Sequence, residues 1–180
     1  MREQLSLNGI KSEIDRLAAK IEAPKSLLPT YGHSIDGAHP HIEVDARGYH
    51  YIVVERGQED SRVTTTSLDE LLFEVFKHIT FSLACQYELK HRIEGQDFRR
   101  LLFRYQEALL SMLSSEWAER EAREHERILQ NYPYDDQAIE RANFSKTLRE
   151  QGLSPELAWK QACEKFPLLE RRSGFSPHSL

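Results

Sequence analysis

YHYIVVERGQED at residues 49–60 leads into SLDELLFEVF at 67–76 and then QDFRRLLFRYQEALL at 96–110, and these stretches are rich in large apolar side chains. The β-branched residues Ile52, Val53 and Val54 beside two tyrosines favour a strand. The two later stretches carry apolar residues at helical spacing. We therefore expect the hydrophobic core to form between Tyr49 and Trp117, from a strand and two helices.

Three strands are predicted around this first stretch. Residues 41–45 alternate apolar and charged side chains, residues 49–56 form the strongest strand, and residues 61–66 are polar enough for an edge strand. Consecutive strands joined by short turns pair as an antiparallel meander. Because a hairpin alone is only marginally stable, helices are expected to cover one face of the sheet.

About six helices are predicted, and several have clear start signals. Ser67 with Glu70 forms a capping box, and Ser154 followed by Pro155 is a frequent helix start. The six helices are expected at 6–22, from Ser67 to about Arg92, from Asp97, from Ser115, from Asp135 or Asp136 to about Glu150, and from Ser154 to about Phe166. Residues 27–40, rich in proline and glycine, are expected to form an irregular connection.

The order of these elements predicts the fold class. Strands grouped together and followed by helices indicate an α+β fold, here a three-stranded antiparallel β-meander packed against a mainly α-helical bundle of about six helices. A length of 180 residues predicts one domain over residues 1–180. Residues 1–24 are expected to be an N-terminal docking helix, and residues 168–180 a frayed C-terminal tail.

The composition excludes several classes of protein. Charged residues make up 29% of the chain and hydrophobic residues 39%, which is typical of a folded and well-solvated domain. A formal net charge of −5 argues against nucleic-acid binding, which needs a basic surface. The N-terminal stretch lacks the apolar run of a signal peptide, and no segment is apolar enough to span a membrane. A cytoplasmic location is therefore expected.

Two groups of side chains have the composition of metal ligands. The first comprises three histidines and an aspartate, His39, His41, Asp45 and His50. A proline between the first two histidines and the lack of a completing ligand pair favour a solvent-facing set instead. The second is the pair Glu88 and His91, which has the spacing used in di-iron bundles but lacks a second pair and two further glutamates. No metal site is predicted.

Catalytic signatures are incomplete. His125-Glu126 begins like a zinc-protease motif, but Leu129 stands where the second histidine ligand is required. Cys85 lies in an apolar helical stretch, where a reactive thiolate is not expected. Cys85 and Cys163 are expected to be buried thiols rather than a disulfide. The sequence predicts no catalytic residue, no cofactor and no enzyme.

Acidic residues are concentrated in the predicted fourth helix and the turn after it. The six candidate partner-binding residues are Glu116, Glu119, Glu121, Glu124, Asp135 and Asp136. One interpretation is a solvated helix stabilised by spaced charge pairs. The other is an acidic docking surface for a basic protein, since complementary charge accelerates association.

Several stretches together resemble the immunity protein 63 family, which comprises predicted immunity proteins of bacterial polymorphic toxin systems. They are HIEVDARGYHYIVVERGQ, TTSLDELLFEVFKHITFSLACQYELKHRIEGQDFRRLLFRYQEALL and SSEW, and the resemblance covers roughly residues 25–136. It implies a cytoplasmic protein that binds a cognate toxin and neutralises it by non-covalent occlusion. Many toxins of such systems are nucleases with basic clefts, which an acidic surface would suit.

Two other functions stay open at this stage. One is a small metal-dependent or hydrolytic enzyme that uses His39, His41, Glu88 or His91. The other is a structural or regulatory domain that forms a homodimer through its helical face. Stoichiometric bound metal would favour the enzyme, whereas light scattering would detect the dimer.

Overall fold

The computed structural model describes residues 5–168, and these form six α-helices and one four-stranded sheet. The helices are α1 (Leu7–Lys20), α2 (Leu68–His91), α3 (Phe98–Ser111), α4 (Ser115–Asn131), α5 (Ala138–Glu150) and α6 (Pro155–Lys165). The strands are β1 (Thr30–Tyr31), β2 (Pro40–Asp45), β3 (Gly48–Glu55) and β4 (Gln58–Thr65). The α+β class and the number of helices are confirmed. The tail predicted at 168–180 lies, except for Leu168, outside the described residues.

The sheet has four strands in the order β1-β2-β3-β4, so the prediction of three antiparallel strands is wrong. β2, β3 and β4 do pair antiparallel. β1 adds a parallel partner to β2, with Thr30 opposite His41, and makes the sheet mixed. β1 is two residues long and lies within the connection rich in proline and glycine, where no periodic pattern marks a strand.

The edge strand β4 begins earlier than predicted, at Gln58 rather than at residue 61. Arg56 and Gly57 both have positive φ, of 53° and 73°, and form a two-residue turn that places Gln58 opposite Glu55. Positive φ at both central residues matches the right-handed twist of a hairpin. The predicted edge position is confirmed, since nearly all of β4 is exposed.

The main core lies between α1, one face of the sheet and α2. α1 contributes Ile10, Ile14 and Leu17, whose spacing of three to four residues places them on one side of the helix. β3 contributes Tyr49 and Tyr51, because alternate strand residues point to the same face. The N-terminal helix is therefore part of the main core of the described chain.

The remaining helices extend this core outward. α3 packs on α2, α4 packs on α3, and α5 and α6 form a helical hairpin. A second, smaller apolar cluster comprises Ala84, Leu102 and Phe103 between α2 and α3. Within residues 5–168, no helix is long and apolar enough to cross a membrane.

Three helices begin where the sequence predicts, at capping residues that bind the backbone two or three residues later. Ser67, Asp97 and Ser154 each accept a hydrogen bond from a backbone N–H in the first turn, as predicted. The other half of the predicted capping box is wrong, since the Ser67 N–H donates to Thr65 and the Glu70 carboxylate binds Arg120. The fourth helix is capped by Ser114 rather than by Ser115. The fifth helix is capped by neither Asp135 nor Asp136, since its N-cap is Gln137, which makes no side-chain cap hydrogen bond.

Candidate partner-binding surface

The helix α4 has two chemically different faces. Its inner face carries Trp117, Glu121 and His125, which are four residues apart and buried. Its outer face carries four exposed charged residues at spacings of three and four, Glu116, Glu119, Arg123 and Glu126. The expectation that most of this helix is solvated therefore holds only for the outer face.

The outer face of α4 is acidic, and its carboxylates form few ion pairs. Glu116 and Glu126 form no ion pair with any residue between 5 and 168, and the Glu119 carboxylate lies 4.0 Å from the guanidinium of Arg123. Exposed pairs of this kind contribute about 0.2–1 kcal/mol, so they exchange readily for a partner's charges. Arg120 and Arg127 of α4 are also exposed but are paired with Glu70 and Glu124, so three carboxylates and one guanidinium give the outer face a net negative charge.

Glu124 lies at the border between the two faces. Its carboxylate accepts two hydrogen bonds from Arg127, at 2.8 and 2.5 Å. These hydrogen bonds hold the pKa of Glu124 below its ordinary value. Glu124 is therefore ionised on the surface, but its charge is already balanced by the arginine one turn later.

The first turns of α4 are attached to the start of α2. Trp117 stacks on Phe76 with ring centroids 6.1 Å apart, and its Nε1 donates to Asp69 at 3.1 Å. The Arg120 guanidinium lies 3.9 Å from the ring centroid of Phe73, in cation–π geometry, and also donates to Glu70. These contacts fix the N-terminal half of α4 against α2.

Glu121, one of the six candidate residues, points into the protein. It is 7% exposed, and its Oε1 accepts a hydrogen bond from Nε2 of Gln106 at 3.2 Å. Burial raises the pKa of Glu121 above its ordinary value, because the charged form loses solvation. While α4 is docked, this carboxyl group faces α3 rather than the outside.

His125 is a second buried polar residue that sequence reasoning missed. Its ring stacks on Phe103 with centroids 3.8 Å apart, and its Nδ1 lies 2.6 Å from Oε1 of Glu107. On a helix rich in charges, a histidine is ordinarily assigned to the surface. The available signal was its position eight residues after Trp117, on the same side of the helix.

Asp136 is engaged in a contact between two turns of the chain. Its Oδ1 accepts from the backbone N–H of Asp97 at 2.8 Å, and its carboxylate binds the Arg100 guanidinium at 2.8 and 2.9 Å. The hydrogen bonds from Arg100, and next that from the Asp97 amide, lower the pKa of Asp136 to about 2. Asp136 thus joins the turn before α3 to the turn before α5.

Asp135 is engaged in the same region. Its carboxylate binds Arg141 at 2.7 and 3.1 Å, and its backbone N–H donates to Asp97 at 2.8 Å. Arg141 also donates to the carbonyl oxygens of Phe166 and Pro167, at the end of α6. We call Asp97, Arg100, Asp135, Asp136 and Arg141 the polar junction. Both candidate aspartates have structural partners there.

The histidine group does not converge on one point. His50 is buried, with Nε2 2.8 Å from Asp45 and Nδ1 2.9 Å from Thr64. His41 is also buried, whereas Nε2 of His39 contacts a backbone carbonyl 3.0 Å away. The predicted solvent-facing set is wrong for His41 and His50, which are buried and lie against the carboxylates of Glu43 and Asp45, respectively. Among residues 5–168, no three His, Cys, Asp or Glu side chains are placed to bind a metal ion.

The Glu88–His91 pair is likewise divided between different contacts. The Glu88 carboxylate is buried and binds Arg92 at 2.7 Å, whereas Nδ1 of His91 lies 2.9 Å from the backbone carbonyl of Tyr87. Both cysteines are free thiols, as expected, but they are only partly buried, so the prediction of buried thiols is wrong in that respect. Burial raises the pKa of the Cys85 thiol, which makes a reactive thiolate there less accessible.

A shallow depression borders the acidic face of α4 at its C-terminal end. It has a volume of about 430 Å³ and is lined by Glu126, Leu129, Gln130 and Pro133. Tyr132, which follows α4, is 56% exposed. Tyrosine is frequent among the residues that contribute most to binding at protein interfaces.

One family model matches the segment that carries this geometry. Residues 45–127 match the model of the immunity protein 63 family. The resemblance to the immunity protein 63 family is thereby confirmed. The match runs from the last residue of β2 through β3, β4, α2 and α3 into α4, and is narrower than the predicted extent of 25–136. No curated protein and no solved structure matches the chain.

The immunity protein 63 match divides the candidate residues. Glu116, Glu119, Glu121 and Glu124 lie inside it, whereas Asp135 and Asp136 lie beyond it, as does the α5–α6 hairpin. The family supports a role as an immunity protein. Whether any of the six residues binds a partner stays a prediction, but the structure distinguishes the exposed ones from those with interior or junction contacts.

Proposed function

We propose that this chain is an immunity protein that binds a cognate protein toxin of a bacterial polymorphic toxin system and neutralises it by non-covalent occlusion. The observation that carries this proposal is the immunity protein 63 match over residues 45–127, which includes all of α2 and α3 and most of α4. The proposed site of action is the cytoplasm of the producing cell.

The proposed binding surface is the outer face of α4, with Glu116, Glu119 and Glu126 as the attracting charges. These carboxylates are exposed and exchange partners at little energetic cost, as their weak pairing indicates. The depression at Leu129 and the exposed ring of Tyr132 add apolar area beside them. A basic toxin, such as a nuclease with a cationic cleft, would be attracted at long range and held at this face.

The toxin is expected to be encoded beside the gene for this chain, and co-expression tests the proposal. Cells that express the adjacent toxin domain alone should lose viability, and co-expression of the intact chain should restore it. The two purified proteins should also elute as one complex in size-exclusion chromatography. If the chain neither restores growth nor forms a complex with that toxin, the proposal is wrong.

A further inference from the structure

A buried polar layer crosses the interface between α3 and α4. Towards the start of α4, Trp117 lies in the main core, and towards its end Ile128 and Leu129 pack against the second apolar cluster. Between these two apolar regions lie Gln106 of α3 and Glu121 and His125 of α4, all at most 7% exposed. The interface is therefore apolar at both ends and polar in the middle.

The contacts of this layer join three helices. Nε2 of Gln106 donates to Oε1 of Glu121 and to the backbone carbonyl of Lys77 on α2, both at 3.2 Å. Nδ1 of His125 lies 2.6 Å from Oε1 of Glu107 on α3, and its Nε2 lies 3.5 Å from Oε1 of Glu121. These contacts depend on the position of α4 relative to α2 and α3.

This arrangement restricts how α4 can pack. Apolar side chains tolerate a sliding of one helix past another, whereas a polar group paired at a single position specifies the register. A shift of α4 by one turn would move one of Glu121 and His125 into the other's place and the remaining one into an apolar region, where an unsatisfied polar group costs about 1–3 kcal/mol. The layer therefore selects one position of α4.

The layer also depends on protonation. The Oε1 of Gln106 is buried and has no hydrogen-bond partner among the described residues. Glu121 gains an O–H donor beside it only when its carboxyl group is protonated.

We propose that Glu121 and His125 are positioning residues, and that the protonation of their layer sets how firmly α4 is docked on α3. The effect of this docking on toxin binding rests on the proposed function, because α4 carries the proposed toxin-binding face. A change in the docking of α4 would displace the carboxylates at 116, 119 and 126 together.

The direction of the pH dependence follows from the groups around Glu121. These are His125 and Glu124 on α4, Lys77 and Glu74 on α2, and Gln106 and Glu107 on α3. Burial is the largest influence and raises the pKa of Glu121 in the folded protein. A group with a raised folded pKa stabilises the fold at low pH, and this stabilisation is lost as the pH rises through that pKa. We therefore expect α4 to be less firmly docked at higher pH.

Hydrogen exchange of the α4 amides, corrected for the intrinsic rate, measures this docking without any toxin. From about pH 5 to about pH 8, the protection of residues 115–131 should fall by about tenfold relative to α2 in the unaltered chain. Glu121→Gln keeps the hydrogen-bond acceptor but cannot ionise, and should remove most of that fall. The matched variant Glu116→Gln, on the outer face, should retain it.

Fluorescence of Trp117 in a Trp159→Phe background gives an independent measure of the same docking. A pH-dependent emission change that is absent in Glu121→Gln supports the inference. Equal pH dependence in Glu121→Gln and Glu116→Gln, or no pH dependence in the unaltered chain, overturns it. Either result leaves the proposed function unaffected, because that function is tested by growth rescue and by complex formation.

Discussion

Arg141 and Asp135 form an ion pair in which the arginine side chain is almost completely buried and the aspartate is about three-quarters buried, with Nη1 2.7 Å from Oδ2. The same guanidinium donates to two backbone carbonyls at the end of α6. One side chain therefore attaches the turn before α5 to the end of the α5–α6 hairpin. Asp135, which the sequence predicts as a partner-binding residue, therefore has a structural role.

Replacing Arg141 should destabilise the described fold. Arg141→Ala leaves Asp135 and two carbonyl oxygens without donors, and should lower the free energy of unfolding by about 2–4 kcal/mol. Urea denaturation followed by circular dichroism measures the change. Arg149→Ala, on the exposed side of the same helix, is the matched control and should change stability by less than about 0.5 kcal/mol. Equal losses in both variants would exclude the structural role.

The two tryptophans should differ sharply in their contribution to stability. Trp117 is 4% exposed and packs on Phe73 and Phe76, whereas Trp159 is 45% exposed. Trp117→Ala should cost about 3–5 kcal/mol, because the main core cannot close around the cavity. Trp159→Ala should cost less than about 1 kcal/mol. Thermal unfolding of both variants makes the comparison, and similar melting temperatures would contradict this placement of α4.

Two glycines provide a test of the β2–β3–β4 meander. Gly48 has φ of 131°, and a Cβ at this position would lie 2.3 Å from the carbonyl oxygen of Thr65. Gly57 has φ of 73°, but a Cβ there would meet no atom within 4 Å. Gly48→Ala should therefore destabilise the protein by more than about 2 kcal/mol, and Gly57→Ala by about 1 kcal/mol. The reverse order in chemical denaturation would show that the strands pair differently.

The polar junction should make stability sensitive to acid. The pKa of Asp136 is lowered to about 2 in the folded protein, chiefly by hydrogen bonds from Arg100. A lowered folded pKa contributes stability above the unfolded-state value of about 3.9, and this contribution is lost as the pH falls towards 2. The melting-temperature difference between the unaltered chain and Asp136→Asn should therefore narrow from pH 7 to about pH 3. Glu164→Gln should show no such trend, and a difference for Asp136→Asn that does not change with pH would contradict the prediction.

The sequence predicted those features that depend on neighbouring residues. Ser67, Asp97 and Ser154 cap helices through contacts two or three residues away, so the local pattern was sufficient. The strand at Ile52 was evident from its β-branched residues. β1 is only two residues long, too short to show a periodic pattern. Its residues form a strand because they pair with β2.

The sequence could not reveal contacts between residues distant in the chain. Asp136 meets the backbone of Asp97, 39 positions away, and Glu121 meets Gln106 on another helix. A carboxylate in a charge-rich helix has the same pattern whether it faces solvent or a buried amide. For this reason the six candidate residues were predicted as one surface, although the structure places them in three different environments.

Affinity for the toxin encoded beside this gene tests the central proposal most directly. The double variant Glu119→Arg/Glu126→Arg reverses two charges on the outer face of α4, and Glu94→Arg/Glu164→Arg makes the same change in charge elsewhere on the surface. At low salt, the first variant should bind the toxin at least about tenfold more weakly, mainly through slower association, whereas the second should bind nearly as tightly as the unaltered chain. Unchanged affinity for the α4 variant, with α4 still docked, would contradict the assignment of this face.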